Sequence, residues 1–166
     1  MITIRPATPD DAAAFLALRQ QVDEETRFMM LEPGERQATV EQERERLINT
    51  AKADNKQTFL AEDDGRLVGW LWANGGDFRR NHHMVHIVIG LREAYTGQGI
   101  GKRLFEVCEQ WTREQHLHRL ELTVMTHNLR GIALYKKMGF EIEGTARHQM
   151  KVDGEYVDLH FMAKML

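Results

Sequence analysis

The sequence is poor in the residues that staple or stiffen a chain: one cysteine and three prolines among 166 residues. A lone thiol, Cys108, excludes a disulfide scaffold and fits a reducing compartment. So few prolines exclude a proline-rich spacer, and no internal repeat or low-complexity tract interrupts the chain. No stretch approaches the ~20 apolar residues that a membrane-spanning helix needs. Residues 1–9 lack the basic flank and apolar core of an export signal. Positive charge is not in excess either: the formal net charge is −3, which argues against a general nucleic-acid binder. What remains is a globular balance, 42% hydrophobic and 28% charged, in a length that suits one domain over residues 1–166. The expectation is a soluble cytoplasmic domain with no membrane partner.

Ile2 and Ile4 alternate with Thr3 and Arg5, which predicts a short first strand. Thr8 offers a helix N-cap, Pro9 suits the first helical position, and Asp10 and Asp11 favour the positive end of the helix dipole. Thr39 and Gln42 form a capping box for a second helix, running to about residue 53. Its thin buried edge is expected to be Val40, Leu47, Ile48 and Ala51. A strand at 58–61 turns at Asp63, Asp64 and Gly65 into a hairpin partner at 67–73. Residues 83–91 read as a buried strand, and a glycine-rich turn at 97–101 opens a helix to about residue 115. A strand at 120–125 and a helix at 128–138 closed by Gly139 follow. Two last strands, 140–152 and 155–165, flank a turn at Asp153 and Gly154. This order predicts an α/β fold, a mixed sheet with helices packed on it, rather than a doubly wound one.

The turn Thr96, Gly97, Gln98, Gly99, Ile100, Gly101, Lys102 joins a strand to a helix. Amides exposed at a helix start attract anions, and glycines let a diphosphate approach closely. Two nucleotide motifs fail here. A Walker loop needs glycine where Thr96 stands and Ser or Thr where Arg103 stands; a dinucleotide fingerprint needs Gly or Ala where Lys102 stands. An NTPase or a nicotinamide oxidoreductase is therefore disfavoured. Taken alone, the turn reads as a plain chain reversal sooner than as a phosphate cradle.

A second segment gives it meaning: Asn128, Arg130, Gly131, Ala133, Leu134, Tyr135, Lys137, Gly139 and Phe140. Together the two segments resemble the coenzyme-A signature of the GNAT superfamily of N-acetyltransferases. The first resembles the pattern Gln/Arg-x-x-Gly-x-Gly/Ala, with Thr96 in the place of Gln or Arg. The second resembles Asn-x-x-Ala-x-x-Leu-Tyr-x-Lys-x-Gly-Phe, with Gly131 for a common alanine. The resemblance covers essentially the whole chain. It implies a sheet of about seven strands flanked by about four helices, whose central parallel strands splay apart to hold acetyl-CoA as co-substrate. Ile89 and Leu91 would then offer main-chain groups to the pantetheine arm, and residues Gly97, Gln98, Gly99, Ile100, Gly101 and Lys102 would wrap the diphosphate. Asn128 would contact the cofactor, and Tyr135 would lie near its sulfur. Phosphate contacts of this kind come mainly from backbone amides, so Thr96 would change little. A homodimer is also implied.

Amine acetylation requires a proton acceptor for the amine, donors at the oxyanion and a proton for the departing thiolate. Tyr135 is the candidate acid, the alternative being a buried aromatic packed beside Leu134 and Met138. His86 is the candidate base, because an imidazole titrates near pH 6.5; the alternative is an ordinary strand histidine. Glu25 and Glu121 are further candidates. His82 and His86 would share a strand face about 13 Å apart, too few ligands for zinc, so no metal is expected. Cys108 lies mid-helix among Leu104, Val107 and Trp111, which favours packing over an acyl-enzyme and direct transfer in a ternary complex. The acceptor side should come from segments 24–31, 70–78 and 144–156, with Glu24, Glu25 and Glu32 able to attract a cation and Phe28, Met29 and Met30 able to line an apolar wall. The expected acceptor is a small-molecule primary amine. A peptide N-terminus, a protein lysine, or an acyl-CoA sensor without turnover are the alternatives.

Overall fold

The computed structural model describes Met1–Leu166. Its strands and helices are β1 (Ile2–Pro6), α1 (Ala12–Glu25), α2 (Val40–Lys52), β2 (Lys56–Asp63), β3 (Arg66–Gly75), β4 (Met84–Leu91), α3 (Ile100–Glu114), β5 (Arg119–Met125), α4 (Leu129–Lys137), β6 (Glu141–Val152) and β7 (Glu155–Met165). Short 3₁₀ turns precede α1 at Pro9–Asp11 and follow β4 at Glu93–Tyr95. All seven strands form one sheet in the order β1-β2-β3-β4-β5-β7-β6, antiparallel except between β4 and β5. No helix is long and apolar enough to cross a membrane.

Two apolar layers cover the sheet. On one face Phe59, Leu71, Val85, Ile87 and Leu122 pack against Ile100, Leu104, Phe105 and Cys108 of α3 and Tyr135 of α4. On the other, Leu60 and Trp70 meet Phe15, Leu18 and Val22 of α1 and Leu47 of α2. Alternate residues of β4 therefore face different layers: Val85 and Ile87 look toward α3, and His86 looks toward the α1 side.

Two local expectations change. Pro9 begins a 3₁₀ turn rather than α1 itself, and Asp11 has two tasks there: its carboxylate accepts from Thr8 N at 2.7 Å at the start of the turn, and from Arg5 Nη1 at 2.9 Å and Nη2 at 2.8 Å. The capping box of α2 forms as expected, with Thr39 Oγ1 accepting from Gln42 N at 3.1 Å and Gln42 Oε1 accepting from Thr39 N at 2.9 Å. Its buried face, however, is Glu43, Leu47 and Thr50, while Val40, Ile48 and Ala51 are exposed. The cause is charge. Arg19 and Arg46 converge on the Glu43 carboxylate, and Arg46 also lies over the Trp72 ring, so the helix rolls to bury that network.

The central pair decides the function. β4 and β5 pair at only three positions, Met84 with Arg119, Val85 with Leu120 and His86 with Glu121. Beyond them β4 stays paired with β3 through Leu91, and β5 with β7 through Met125, so the two strands part without losing their outer partners. Trp70 and Gly90 fix the splayed half of β4 against β3. A Cβ at Gly90 would stand 2.2 Å from Trp70 Cη2, so only glycine admits the indole.

Candidate active site

The start of α3 forms one wall. Gly97 and Gly99 hold left-handed φ of +75° and +80°, and a Cβ on either would meet nothing within 4 Å, so the turn surrounds open space. The first bond inside the helix runs from Arg103 N to Gly99 O at 3.1 Å, and no side chain caps the end. The amides of Ile100, Gly101 and Lys102 are thus left for a ligand, as an anion site requires. Main chain and side chain part company here. The Ile100 side chain is buried in the core, and a Cβ on Gly101 would lie 2.9 Å from Leu134 Cδ2, so that glycine serves α3–α4 packing. Gln98 donates to Ala94 O at 2.9 Å, and Lys102 Nζ lies 3.3 Å from Glu106. Thr96 Oγ1 donates to Glu93 O at 2.8 Å and accepts from Arg130 Nη1 at 2.7 Å, linking the turn to α4.

The second wall is the edge of β4 after His86. Ile89 and Leu91 turn their side chains to the α3 layer, and their main chain has no strand partner on the β5 side. An extended ligand can use such an edge as an added strand would. Asn128 caps α4, its Oδ1 accepting from Gly131 N at 3.0 Å. Gly131 belongs with that cap, because a Cβ there would stand 2.7 Å from Asn128 Nδ2. The cap leaves Asn128 Nδ2 as the group free to face a cofactor. Tyr135 packs edge-on against Phe105 at 5.7 Å, with Phe140 at 6.3 Å. Burial pushes its phenol up to about 12, with no charged neighbour contributing. It therefore stays a proton donor through neutral and mildly alkaline pH.

His86 closes the V at its base, with Nδ1 3.8 Å from Glu121 Oε1 on the facing strand. Glu121 is held in turn by Arg119 Nε at 3.0 Å. Tyr135 and His86 sit in different layers, one on each side of the opening between the strands. Glu25 is occupied otherwise. It accepts from Arg92 Nε at 3.2 Å and from Glu93 N at 2.7 Å, tying the end of α1 to the end of β4. Three residues on, the Phe28 ring lies tilted against His127, just beyond β5, at 5.1 Å, and Arg27 pairs with Asp153 of the β6–β7 turn at 3.1 Å. The segment 25–28 therefore bridges the open end of the splay. Met29 is partly buried, and Met30 is 71% exposed. Buried Asp23 and Arg36, 2.7 Å apart, anchor the rest of the loop.

Cys108 is fully buried and its thiol is pushed up to about 12, chiefly by desolvation, so it packs rather than reacts. His82 pairs with Asp54 at 2.9 Å and His83 lies against His118. No three His, Cys, Asp or Glu side chains gather in a metal-binding group. The bridging roles of Arg92, Arg130 and Asp23 escaped the sequence reading. For Arg130 a signal existed: a cation in the first turn of a helix sits at the dipole's unfavourable end.

A strand edge freed by splaying, beside an uncapped glycine turn at a helix start, suits an extended ligand that carries an anionic group. Residues 18–140 match the acetyltransferase (GNAT) family model, and the chain belongs to that family. An L-amino acid N-acetyltransferase of Escherichia coli (strain K12) is 35% identical over 106 residues, which are 61% of this chain and 64% of that one. A [ribosomal protein uS5]-alanine N-acetyltransferase of the same strain is 30% identical over 81 residues, 48% of this chain and 42% of that one. The chain thus covers less than two thirds of either relative's length. A solved GNAT-family acetyltransferase from Streptococcus pneumoniae superposes with a TM-score of 0.97 at 31% identity, covering all of both chains. The family uses acetyl-CoA as acyl donor.

Proposed function

We propose that the protein transfers the acetyl group of acetyl-CoA to the primary amine of a small-molecule acceptor, by direct attack while both are bound. The observation that carries this reading is the three-residue limit of the β4–β5 pairing, which leaves a main-chain edge beside the uncapped turn of α3. Gly97, Gln98, Gly99, Ile100, Gly101 and Lys102 would hold the diphosphate through their amides, Ile89 and Leu91 the pantetheine arm, and Asn128 Nδ2 a polar group of the donor. Acetyl-CoA supplies an acyl group already activated as a thioester. His86, steadied by Glu121, takes the proton from the attacking amine. Tyr135, kept protonated by burial, gives its proton to the departing sulfur. The bridge 25–28 across the open end supports a compact acceptor, and so does the similarity to an amino-acid acetyltransferase.

A second acceptor, a peptide N-terminus, is favoured by the similarity to a ribosomal-protein alanine acetyltransferase. A CoA-release screen against amino acids, polyamines, aminoglycosides and short peptides decides between them. Turnover with free amines is expected; turnover with peptides alone moves the acceptor class, and donor binding without release across the panel makes the protein a sensor. The reading also includes a cytoplasmic homodimer, and sedimentation velocity reads the assembly.

A further inference from the structure

Backbone amides around Gly97 and Gly99 can take a diphosphate, and a cation beside them would add to that grip, but the nearby cations are turned to other partners. Lys102 pairs with Glu106, Arg103 donates to Ile2 O at 3.1 Å, and Arg92 pairs with Glu25. Position 96, where the pattern described above has Gln or Arg, is an uncharged threonine. The guanidinium of Arg130 fills that gap in space. It reaches from α4 to Thr96 Oγ1 at 2.7 Å, it is exposed, and no carboxylate pairs with it. It also stands in the first turn of α4, where a cation is disfavoured, and neither α3 nor α4 has an acidic residue in its first turn to balance it. The uncapped start of α3, the start of α4 with no acid in its first turn, and an arginine without a carboxylate partner together concentrate positive charge at the turn.

We infer that Arg130 binds the diphosphate of acetyl-CoA, supplying from α4 the charge that residue 96 does not. Thr96 sets the guanidinium against the turn, leaving its other N–H groups to take a phosphate oxygen. The inference rests on the acetyl-CoA reading but not on any acceptor, so it is tested by binding.

Titration calorimetry compares CoA with dephospho-CoA, which keeps the diphosphate and lacks the 3′-phosphate. Arg130→Gln retains a donor for Thr96 and removes the charge; it should weaken both ligands by the same factor, about tenfold, as expected for a charge-assisted hydrogen bond. The dependence of affinity on salt should also flatten. Adding Thr96→Arg to that variant should restore most of the loss, and the unliganded melting temperature should not move. Unchanged affinity in Arg130→Gln overturns the inference. So does weakened binding of CoA alone, which would place Arg130 on the 3′-phosphate, and so does failure of Thr96→Arg to recover any affinity. If the unaltered protein binds neither ligand, the acetyl-CoA reading itself fails.

Discussion

Tyr135 and Cys108 show how one physical cause, burial, has opposite consequences for a phenol and a thiol. Each group is pushed up to about 12 by desolvation. For a phenol this preserves the protonated form an acid needs, whereas for a thiol it removes the thiolate a nucleophile needs. Tyr135→Phe should therefore lower kcat by roughly 100-fold or more while leaving CoA affinity within about twofold, measured by steady-state kinetics and calorimetry. The same shift fixes a sign in pH. The donor form is the lower-pH form, so raising its pKa extends the active range upward; kcat should show no Tyr135-linked fall near pH 10, where an ordinary phenol is about half ionised. Cys108→Ala should leave kcat unaltered and lower stability by about 1 kcal/mol, seen as a small drop in the denaturation midpoint. His86→Gln should lower kcat/KM for the amine while leaving CoA affinity within about twofold, measured by steady-state kinetics and calorimetry, a split that mere loss of packing would not produce.

Elements meet through charged ties as much as through apolar layers. Asp23 and Arg36, almost wholly buried, join α1 to the loop that crosses the acceptor side. Removing one partner strands the other charge, so Asp23→Ala should cost about 3–5 kcal/mol by chemical denaturation. Arg5 and Asp11 tie β1 to the start of α1. The guanidinium hydrogen bonds hold the Asp11 carboxyl at about 2, below its ordinary 3.8. Because the folded pKa is the lower one, this tie is fully present above pH ~3.8 and is lost as pH falls toward ~2. Asp11→Asn should make the melting temperature less steeply dependent on pH across that window. In the sheet, Gly90→Ala drives a methyl into the Trp70 indole and should destabilise by about 1–3 kcal/mol through overpacking.

At the scale of the molecule, the sheet is continuous at its outer strands and open at its centre. A ligand that completes the centre binds only the folded state. Acetyl-CoA at about 100 times its Kd should add about 2.7 kcal/mol, a rise in melting temperature of about 5–10 °C for a chain of this length. Absence of that rise in a thermal-shift assay would remove the acyl donor from this fold.

The sequence by itself determined the element order, because strand alternation, the Thr39–Gln42 box and the closing Gly139 are local devices that act over a few residues. It also carried the two glycine- and tyrosine-bearing segments that mark the family, since those motifs are contiguous. Only the tertiary structure decided which face of α2 is buried, since Glu43 goes inside for the sake of Arg19, 24 residues away. It alone set His86 opposite Glu121, committed Glu25 to Arg92, and carried Arg130 from one helix to the turn of another. Hydrogen bonds and ion pairs between distant segments leave no periodicity in a chain, and their partners are chosen only once the layers have packed.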